Sequence, residues 1–218
     1  MKKVILLCGP RGAGKSTYAE AVRVMHPEVK VVNRDRIAMR MFGGVSLNPY
    51  TGQHECVLWR LFERVSRMLA VQREDAVILL DCWNGYAHDR QNIIRRLKNY
   101  GADEVWAWYF LTSIDVSARW FYARESRNGL NEKQWKSYRE RSYREDFLFF
   151  HKQASDLMEQ YAAQGKEPDV EDDTVWWFDP DNISRFDHVE LIHADQDRIP
   201  GMPFFPDVAV NEALCRYL

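Results

Sequence analysis

A glycine-rich loop near the start of the chain constrains the fold more than any other feature. Residues 9–17 have the sequence Gly-Pro-Arg-Gly-Ala-Gly-Lys-Ser-Thr, a full match to GxxxxGK[ST], and they follow an apolar run at residues 4–8. In this motif a strand enters the loop and a helix leaves it, so backbone N–H groups and the helix dipole surround phosphate groups. Because both flanking elements fit, a chance glycine-rich turn is disfavoured. The sequence therefore predicts a phosphate-binding P-loop after the first strand.

The residues of this loop have separate expected roles. We expect Lys15 to reach the β- and γ-phosphates of ATP, Ser16 to ligate Mg²⁺, and Thr17 to contact a neighbouring phosphate. The predicted ATP-binding set is Gly9, Arg11, Gly12, Ala13, Gly14, Lys15, Ser16 and Thr17. The expected cofactors are therefore ATP and Mg²⁺.

Strand-like and helical patterns alternate along the chain. Strands are predicted at residues 4–8, 29–33, 76–80, 105–111 and 186–193, and helices at residues 15–24, 53–73 and 131–163, with another helical stretch after the second strand. The helix assignments rest on apolar residues that recur along one helical face. This alternation predicts an α/β fold of the P-loop kinase type, with helices on both faces of a parallel sheet and a helical lid.

Length and composition favour one domain. A chain of 218 residues can form a single elaborated domain, since domain length centres on roughly 100 to 150 residues. No apolar run approaches the roughly 18 residues of a membrane span, and the four cysteines lack the CxxC spacing of zinc sites. We therefore predict one cytoplasmic domain over residues 1–218, with a lid at about 119–131 and an acidic extension from about 165. The extension is expected to be a solvated surface rather than a partner site.

Two carboxylates follow predicted strands. Asp81 ends the third apolar run, and Asp35 follows the second. Ligands of open α/β sheets bind at the carboxyl ends of the strands, so both are site candidates. Asp81 is expected to hold Mg²⁺ or contact the acceptor, and Asp35, beside the P-loop at the same edge, to accept a proton from an acceptor hydroxyl. The alternative for Asp81 is a helix or turn cap, and for Asp35 the cap of a helix starting near Arg36.

The remaining candidates concern the acceptor and the lid. Trp83 and Asn84 follow Asp81, although Asn84 could simply begin a turn. Arg124 and Arg127 lie three residues apart on one predicted helical face, where they could stabilise charge in phosphoryl transfer or form surface ion pairs. Aromatic residues among the basic residues at 133–144 could stack on bases or form the core face of a helix.

Together, the P-loop, the run from Asn33 to Asp35, Asp81 with Asn84, and the Arg124/Arg127 pair resemble the 5′-kinase domain of phage-type polynucleotide kinases. The resemblance covers about residues 1–150. It implies that Asp35 is the general base, that Asp81 lies in the acceptor site, that the two lid arginines hold ATP, and that the acceptor is a DNA or RNA end.

The chain departs from that family in two places. The family's acceptor-phosphate arginine lies three residues after the base, where this chain has Ala38, so Arg36 and Arg40 are the possible substitutes. The phosphatase signature DxDGT is absent from the sequence, and we expect no 3′-phosphatase activity.

Two other functions stay open. One is a small-molecule, nucleotide or sugar-nucleotide kinase, as in the zeta-type toxins, and the other is a non-catalytic module that uses ATP as a switch. The guanine-reading motif NKxD is absent, which weakens a GTPase assignment, and the presence of Asp35 favours phosphotransfer.

Overall fold

The computed structural model describes residues 1–9, 11–48, 50–71, 75–84, 87–110 and 186–192, with the single positions 112, 116, 120 and 194. The predicted helix at 131–163 lies outside these residues. So do the predicted lid, apart from position 120, and most of the acidic extension.

Five strands and four helices make up the described part of the chain. In chain order they are β1 (Lys2–Cys8), α1 (Lys15–Met25), β2 (Lys30–Asn33), α2 (Arg34–Phe42), α3 (Gln53–Val71), β3 (Ala76–Asp81), α4 (Ala87–Asn99), β4 (Glu104–Phe110) and β5 (His188–Ile192). All strand pairs are parallel, and the order across the sheet is β2-β3-β1-β4-β5. The five predicted strands are confirmed, with ends that differ by at most two residues.

Each face of the sheet is covered by its own helices. Successive side chains of a strand point to opposite faces, and in β1 this sends Ile5 and Leu7 toward α1. Val4 and Leu6 join the other core, which contains the buried faces of α2, α3 and α4. Strands buried on both faces need no polar alternation, which is why β1 and β3 are nearly continuous apolar runs. The predicted α/β fold with helices on both faces is confirmed.

The carboxyl ends of three strands meet at one edge of the sheet. Strand β3 pairs with β1 on one side and with β2 on the other, and Asn33 lies opposite Asp81 in the register. Asp81, rather than Asp35, is therefore the strand-end carboxylate next to the P-loop, because β3 lies between β1 and β2. None of the helices within the described ranges is both long and apolar enough to cross a membrane.

Candidate active site

The P-loop has the tight backbone that its glycines permit. Gly12 and Gly14 have φ angles of 75° and 88°, in the left-handed region that favours glycine. A Cβ atom on Gly14 would lie 3.0 Å from the ring of Trp120, and one on Gly9 would lie 3.0 Å from the Phe110 carbonyl oxygen. Both positions therefore exclude larger residues. The loop ends at Gly14, the residue before α1, so its N–H groups lie at a helix N-terminus.

Two side-chain hydrogen bonds hold the loop, one within the loop and one from the residues that follow β4. The Lys15 Nζ donates a hydrogen bond to the Gly9 carbonyl at 2.7 Å, which links the two ends of the loop. The buried Thr112 hydroxyl donates to the Ala13 carbonyl at 2.7 Å. Sequence reasoning missed Thr112, although it follows the apolar run of β4 much as Asp81 ends that of β3. The same rule on polar residues at strand ends could have identified it.

Asp81 is the centre of the polar contacts at this edge. Its Oδ2 accepts hydrogen bonds from the Ser16 hydroxyl at 2.5 Å and from the Asn33 amide at 2.7 Å. Magnesium prefers oxygen ligands and is commonly held by one or two carboxylates together with substrate phosphates. The adjacent hydroxyl and carboxylate of Ser16 and Asp81 therefore have the chemistry that suits Mg²⁺, and their role as its ligands stays a prediction.

The N-terminus of α2 is capped by Asn33 and not by Asp35, the residue that the sequence offered as a possible cap. The Asn33 Oδ1 accepts from the Arg36 backbone N–H at 2.8 Å, and α2 begins at Arg34. The alternative that Asp35 only caps this helix is therefore wrong, because Asn33 is the cap. Asp35 lies in the first turn, its side chain 55% exposed, and its carboxylate accepts from Arg34 Nη1 at 2.8 Å. Asn33 was not predicted as a site residue, yet it contacts both Asp81 and α2.

Arg36 is engaged with the P-loop helix. Its Nη2 lies 2.9 Å from Oε2 of Glu20, a buried carboxylate of α1 that also pairs with Arg23. Burial would raise the pKa of Glu20, but the hydrogen bond from Arg23 and the charges of Arg36 and Arg23 outweigh it and lower the pKa. Glu20 is therefore ionised at neutral pH. The predicted contact of Arg36 with an acceptor stays a prediction and would compete with this ion pair.

The residues after β3 divide into an inward and an outward group. Asn84 is buried, and its amide nitrogen donates to the carbonyls of Leu7 at 2.8 Å and Cys82 at 3.0 Å. The fully buried Arg90 of α4 donates to the Asn84 carbonyl at 3.0 Å. Trp83 is exposed at the surface. This arrangement gives Asn84 a structural role beside the P-loop strand, and its predicted contact with an acceptor stays untested.

The buried thiols of the site are inert. Burial raises the pKa of Cys8 to about 12 and also raises the pKa of Cys82. Both thiols are therefore protonated at neutral pH and unsuited to nucleophilic chemistry, since the thiolate is the reactive form.

Of the other predicted ATP-site residues, Arg11 is exposed and Thr17 is half-buried in the first turn of α1. Arg124 and Arg127 lie outside the described residues. Trp120, at the start of the predicted lid, does lie against Gly14 of the P-loop.

A family model described as an AAA domain matches residues 4–144, about two thirds of the chain. The chain belongs to this family. The match contains the P-loop, Asp35, Asp81 and the range of the predicted lid. This AAA-domain chain therefore has a P-loop kinase-type fold, built on a parallel sheet with helices on both faces.

Solved structures similar to this AAA-domain chain come from different systems. A chain of the Pnkp1/Rnl/Hen1 RNA repair complex is 21% identical with a TM-score of 0.52, covering 76% of this chain and 46% of that one. A chain of another Pnkp1/Rnl/Hen1 complex is 23% identical with a TM-score of 0.46. The match covers 54% of this chain and 38% of that one. A chain of the PezAT toxin-antitoxin system of Streptococcus pneumoniae is 13% identical with a TM-score of 0.53. The match covers 100% of this chain and 83% of that one.

At these identities the likeness shows the fold alone. This chain spans less than half the length of either RNA-repair chain. No curated protein matches it.

Proposed function

We propose that this chain transfers the γ-phosphate of ATP to a hydroxyl acceptor, and that the acceptor is the 5′-hydroxyl end of a polynucleotide. The observation that carries the proposal is the position of Asp81. Its Oδ2 is shared by Ser16 at the start of α1 and by Asn33 at the start of α2. One carboxylate therefore joins the P-loop to the junction that bears Asp35, two residues beyond Asn33.

The donor half of the site would bind the phosphates of ATP. The loop N–H groups and the N-terminus of α1 favour negative charge, and Lys15 supplies a cation there. Ser16 and Asp81 would hold Mg²⁺, which when bound neutralises charge on the β- and γ-phosphate oxygens. We assign Arg124 and Arg127 to the same task from the lid side. The contact of Trp120 with Gly14 supports that assignment, because it brings the start of the lid range to the P-loop.

The acceptor half would remove the proton. The acceptor oxygen forms a bond to the γ-phosphorus while the bond to the β–γ bridging oxygen breaks and its electron pair leaves with ADP. Asp35 takes the proton released by the acceptor hydroxyl. Its exposed carboxylate is accessible from solvent, and the bond from Arg34 holds it in place. Trp83, Asn84 and Arg36 complete the proposed acceptor surface, and a cytoplasmic location is part of the same proposal.

The choice of a polynucleotide rests on the motif resemblance, and one observation favours a second candidate. The Arg36 guanidinium is bound to Glu20, and Ala38 occupies the position of the family's acceptor-phosphate arginine. An acceptor that carries no phosphate near its hydroxyl would need neither side chain. A small-molecule, nucleotide or sugar-nucleotide kinase is therefore the second candidate.

The test is incubation with γ-labelled ATP and a panel of 5′-hydroxyl DNA, 5′-hydroxyl RNA, nucleosides and sugar nucleotides. Label on an oligonucleotide, with a rate that falls steeply as salt increases, supports the proposal, since binding through several phosphates is strongly salt-dependent. Label on a small molecule with weak salt dependence supports the second candidate. ATP binding without transfer to any acceptor would favour the switch module.

A further inference from the structure

The connection between α2 and α3 exposes apolar side chains beside the candidate acceptor site. Tyr50 has 95% of its surface exposed, and Phe42 and Val45 are 40% and 42% exposed. Single exposed apolar side chains are common on soluble proteins, so exposure alone assigns no role. The position of this connection is what distinguishes it.

One hydrogen-bond donor places the connection next to the proposed base. Arg34 Nη1 donates to Asp35 Oδ1 at 2.8 Å and to the Val45 carbonyl oxygen at 2.8 Å. The two oxygens are bonded to the same nitrogen, so they lie no more than about twice that length apart. The backbone at Val45 therefore lies close to the Asp35 carboxylate.

The turn that carries Tyr50 is held by hydrogen bonds centred on Asn48. The Asn48 Oδ1 accepts from the Tyr50 N–H at 2.9 Å, and its carbonyl accepts from the Thr51 hydroxyl at 3.1 Å. Its own N–H donates to Gln53 Oε1 at 3.0 Å, at the start of α3. The backbone at Tyr50 is thereby restrained, so a ligand that packs on the ring has little backbone entropy to overcome.

Tyr50 is within reach of the first nucleotides of a bound acceptor. Tyr50 follows Val45 by five positions, a span of at most about 17 Å for an extended chain. Stacked nucleotides advance about 3.4 Å each along a strand, so the Tyr50 backbone lies no further from Val45 than the length of roughly five stacked nucleotides. Unpaired bases stack on exposed aromatic side chains in proteins that bind single strands.

We propose that Tyr50 is a stacking platform for an unpaired base near the 5′ end of the acceptor, which makes the acceptor class a single-stranded polynucleotide. This inference rests on the proposed polynucleotide kinase function. It assigns specificity to the α2–α3 connection, whereas Asp35 carries the chemistry. Val45 on the same connection and Phe42 at the end of α2 supply further apolar surface.

The test compares Tyr50→Ala, Tyr50→Phe and a control, Trp59→Ala, on two acceptors. Trp59 is also aromatic and exposed, at 62%, but it lies on α3 near Arg67 and Arg96, in a groove between α3 and α4. One acceptor is a single-stranded 5′-hydroxyl oligonucleotide. The other is the same oligonucleotide with abasic units in the first five positions. The acceptor KM, the ATP KM and kcat are measured for each pair.

We expect Tyr50→Ala to raise the acceptor KM about 5- to 150-fold on the normal oligonucleotide, the range that stacking of one base typically gives. Tyr50→Phe and Trp59→Ala should match the wild type, and on the abasic oligonucleotide Tyr50→Ala should match it too. An equal effect of Tyr50→Ala on both acceptors, or no effect on either, overturns the stacking role while the kinase function stands. If the wild-type protein labels no oligonucleotide, the proposed function fails first and the stacking role fails with it.

Discussion

The two halves of the candidate site are built in different ways. On the donor side, Ala13 is fully buried, and the loop is contacted by Phe110, Thr112 and Trp120 from outside its own element. On the acceptor side, Asp35 is half exposed and Tyr50 almost fully exposed. The difference suits the proposed ligands, because a triphosphate can be held by backbone N–H groups in a fixed loop, whereas an acceptor would be recognised by side chains on an open surface.

Two links join these halves. Asp81 binds Ser16 of α1 and Asn33 before α2, and Glu20 of α1 binds Arg36 of α2. Loss of the phosphate-binding cation of the donor half should therefore remove ATP-dependent function altogether. Changes within the acceptor half should affect transfer but leave ATP binding unaffected, and changes in the links should fall between these limits.

Lys15→Ala is expected to have the largest effect, reducing turnover to background. It removes the cation that the P-loop places at the phosphates, and loss of a single charge-stabilising donor typically costs about 10²- to 10³-fold in kcat before any loss of ATP affinity is added. The matched control is Lys30→Ala, whose Nζ donates to the Pro27 carbonyl at 3.3 Å at the amino end of β2, opposite the edge that carries the P-loop. Steady-state kinetics and ATP titration measure both. Wild-type turnover in the Lys15 variant would contradict the proposed role of the P-loop in binding the phosphates of ATP.

Asp35→Asn should separate the acceptor half from the donor half. The amide keeps the size of the side chain but removes the base, so kcat should fall by about 10²- to 10⁴-fold while the ATP dissociation constant stays unchanged. The melting temperature should hardly change, because Asn33 and not Asp35 caps α2. A variant within about threefold of wild-type kcat contradicts the general-base role, since that lies below the range expected for a base.

The same contrast explains what the sequence could predict. The P-loop and Asp81 were predictable because local patterns specify them: glycines at fixed spacing, and a carboxylate that ends an apolar strand. The fold was predictable because hydrophobic periodicity marks the strands and helices. Thr112 was predictable in the same way, because it is a polar residue that follows an apolar strand.

The contacts that escaped prediction join residues far apart in sequence. Glu20 with Arg36, and Asn84 with Leu7, depend on which helix packs next to which strand. In the sequence alone, Glu20 and Arg36 look like ordinary charged surface residues of two separate helices. The approach of the α2–α3 connection, which carries Tyr50, to Asp35 likewise depends on how that connection returns to Arg34.

Glu20→Gln tests the link between the two helices and should depend on pH. The pKa of Glu20 is lowered in the folded protein, so the stabilisation it provides is fully present above the unfolded pKa of about 4.3. It is lost as the pH falls through the lower folded value. At neutral pH we expect the variant to lose about 1 to 3 kcal/mol in the free energy of unfolding, because charge-assisted bonds to two arginines are weakened.

Denaturant unfolding at pH 7 and below pH 4 measures this, and the difference from wild type should shrink at the lower pH. Arg23→Gln is the control, because Arg23 shares Glu20 but belongs to α1 itself and leaves the bond to Arg36 in place. If the link positions Asp35, Glu20→Gln lowers kcat without changing ATP affinity, and Arg23→Gln does not. Equal kcat values for both variants would reduce the Glu20–Arg36 pair to a stability element.

Thr112→Val is expected to have the smallest effect and probes the support beneath the donor half. The substitution keeps the branched shape but removes the hydroxyl that donates to the Ala13 carbonyl at 2.7 Å. Loss of one buried hydrogen bond should lower the free energy of unfolding by about 1 kcal/mol. A loop that is less well held should also bind ATP more weakly, by a factor of roughly 5 if that free energy is needed for binding.

Thr112→Ser, which retains the hydroxyl, should keep wild-type ATP affinity. The dissociation constants of both variants separate the two causes: if Thr112→Ser weakens ATP binding and Thr112→Val does not, packing of the Thr112 methyl group supports the loop and the hydrogen bond does not.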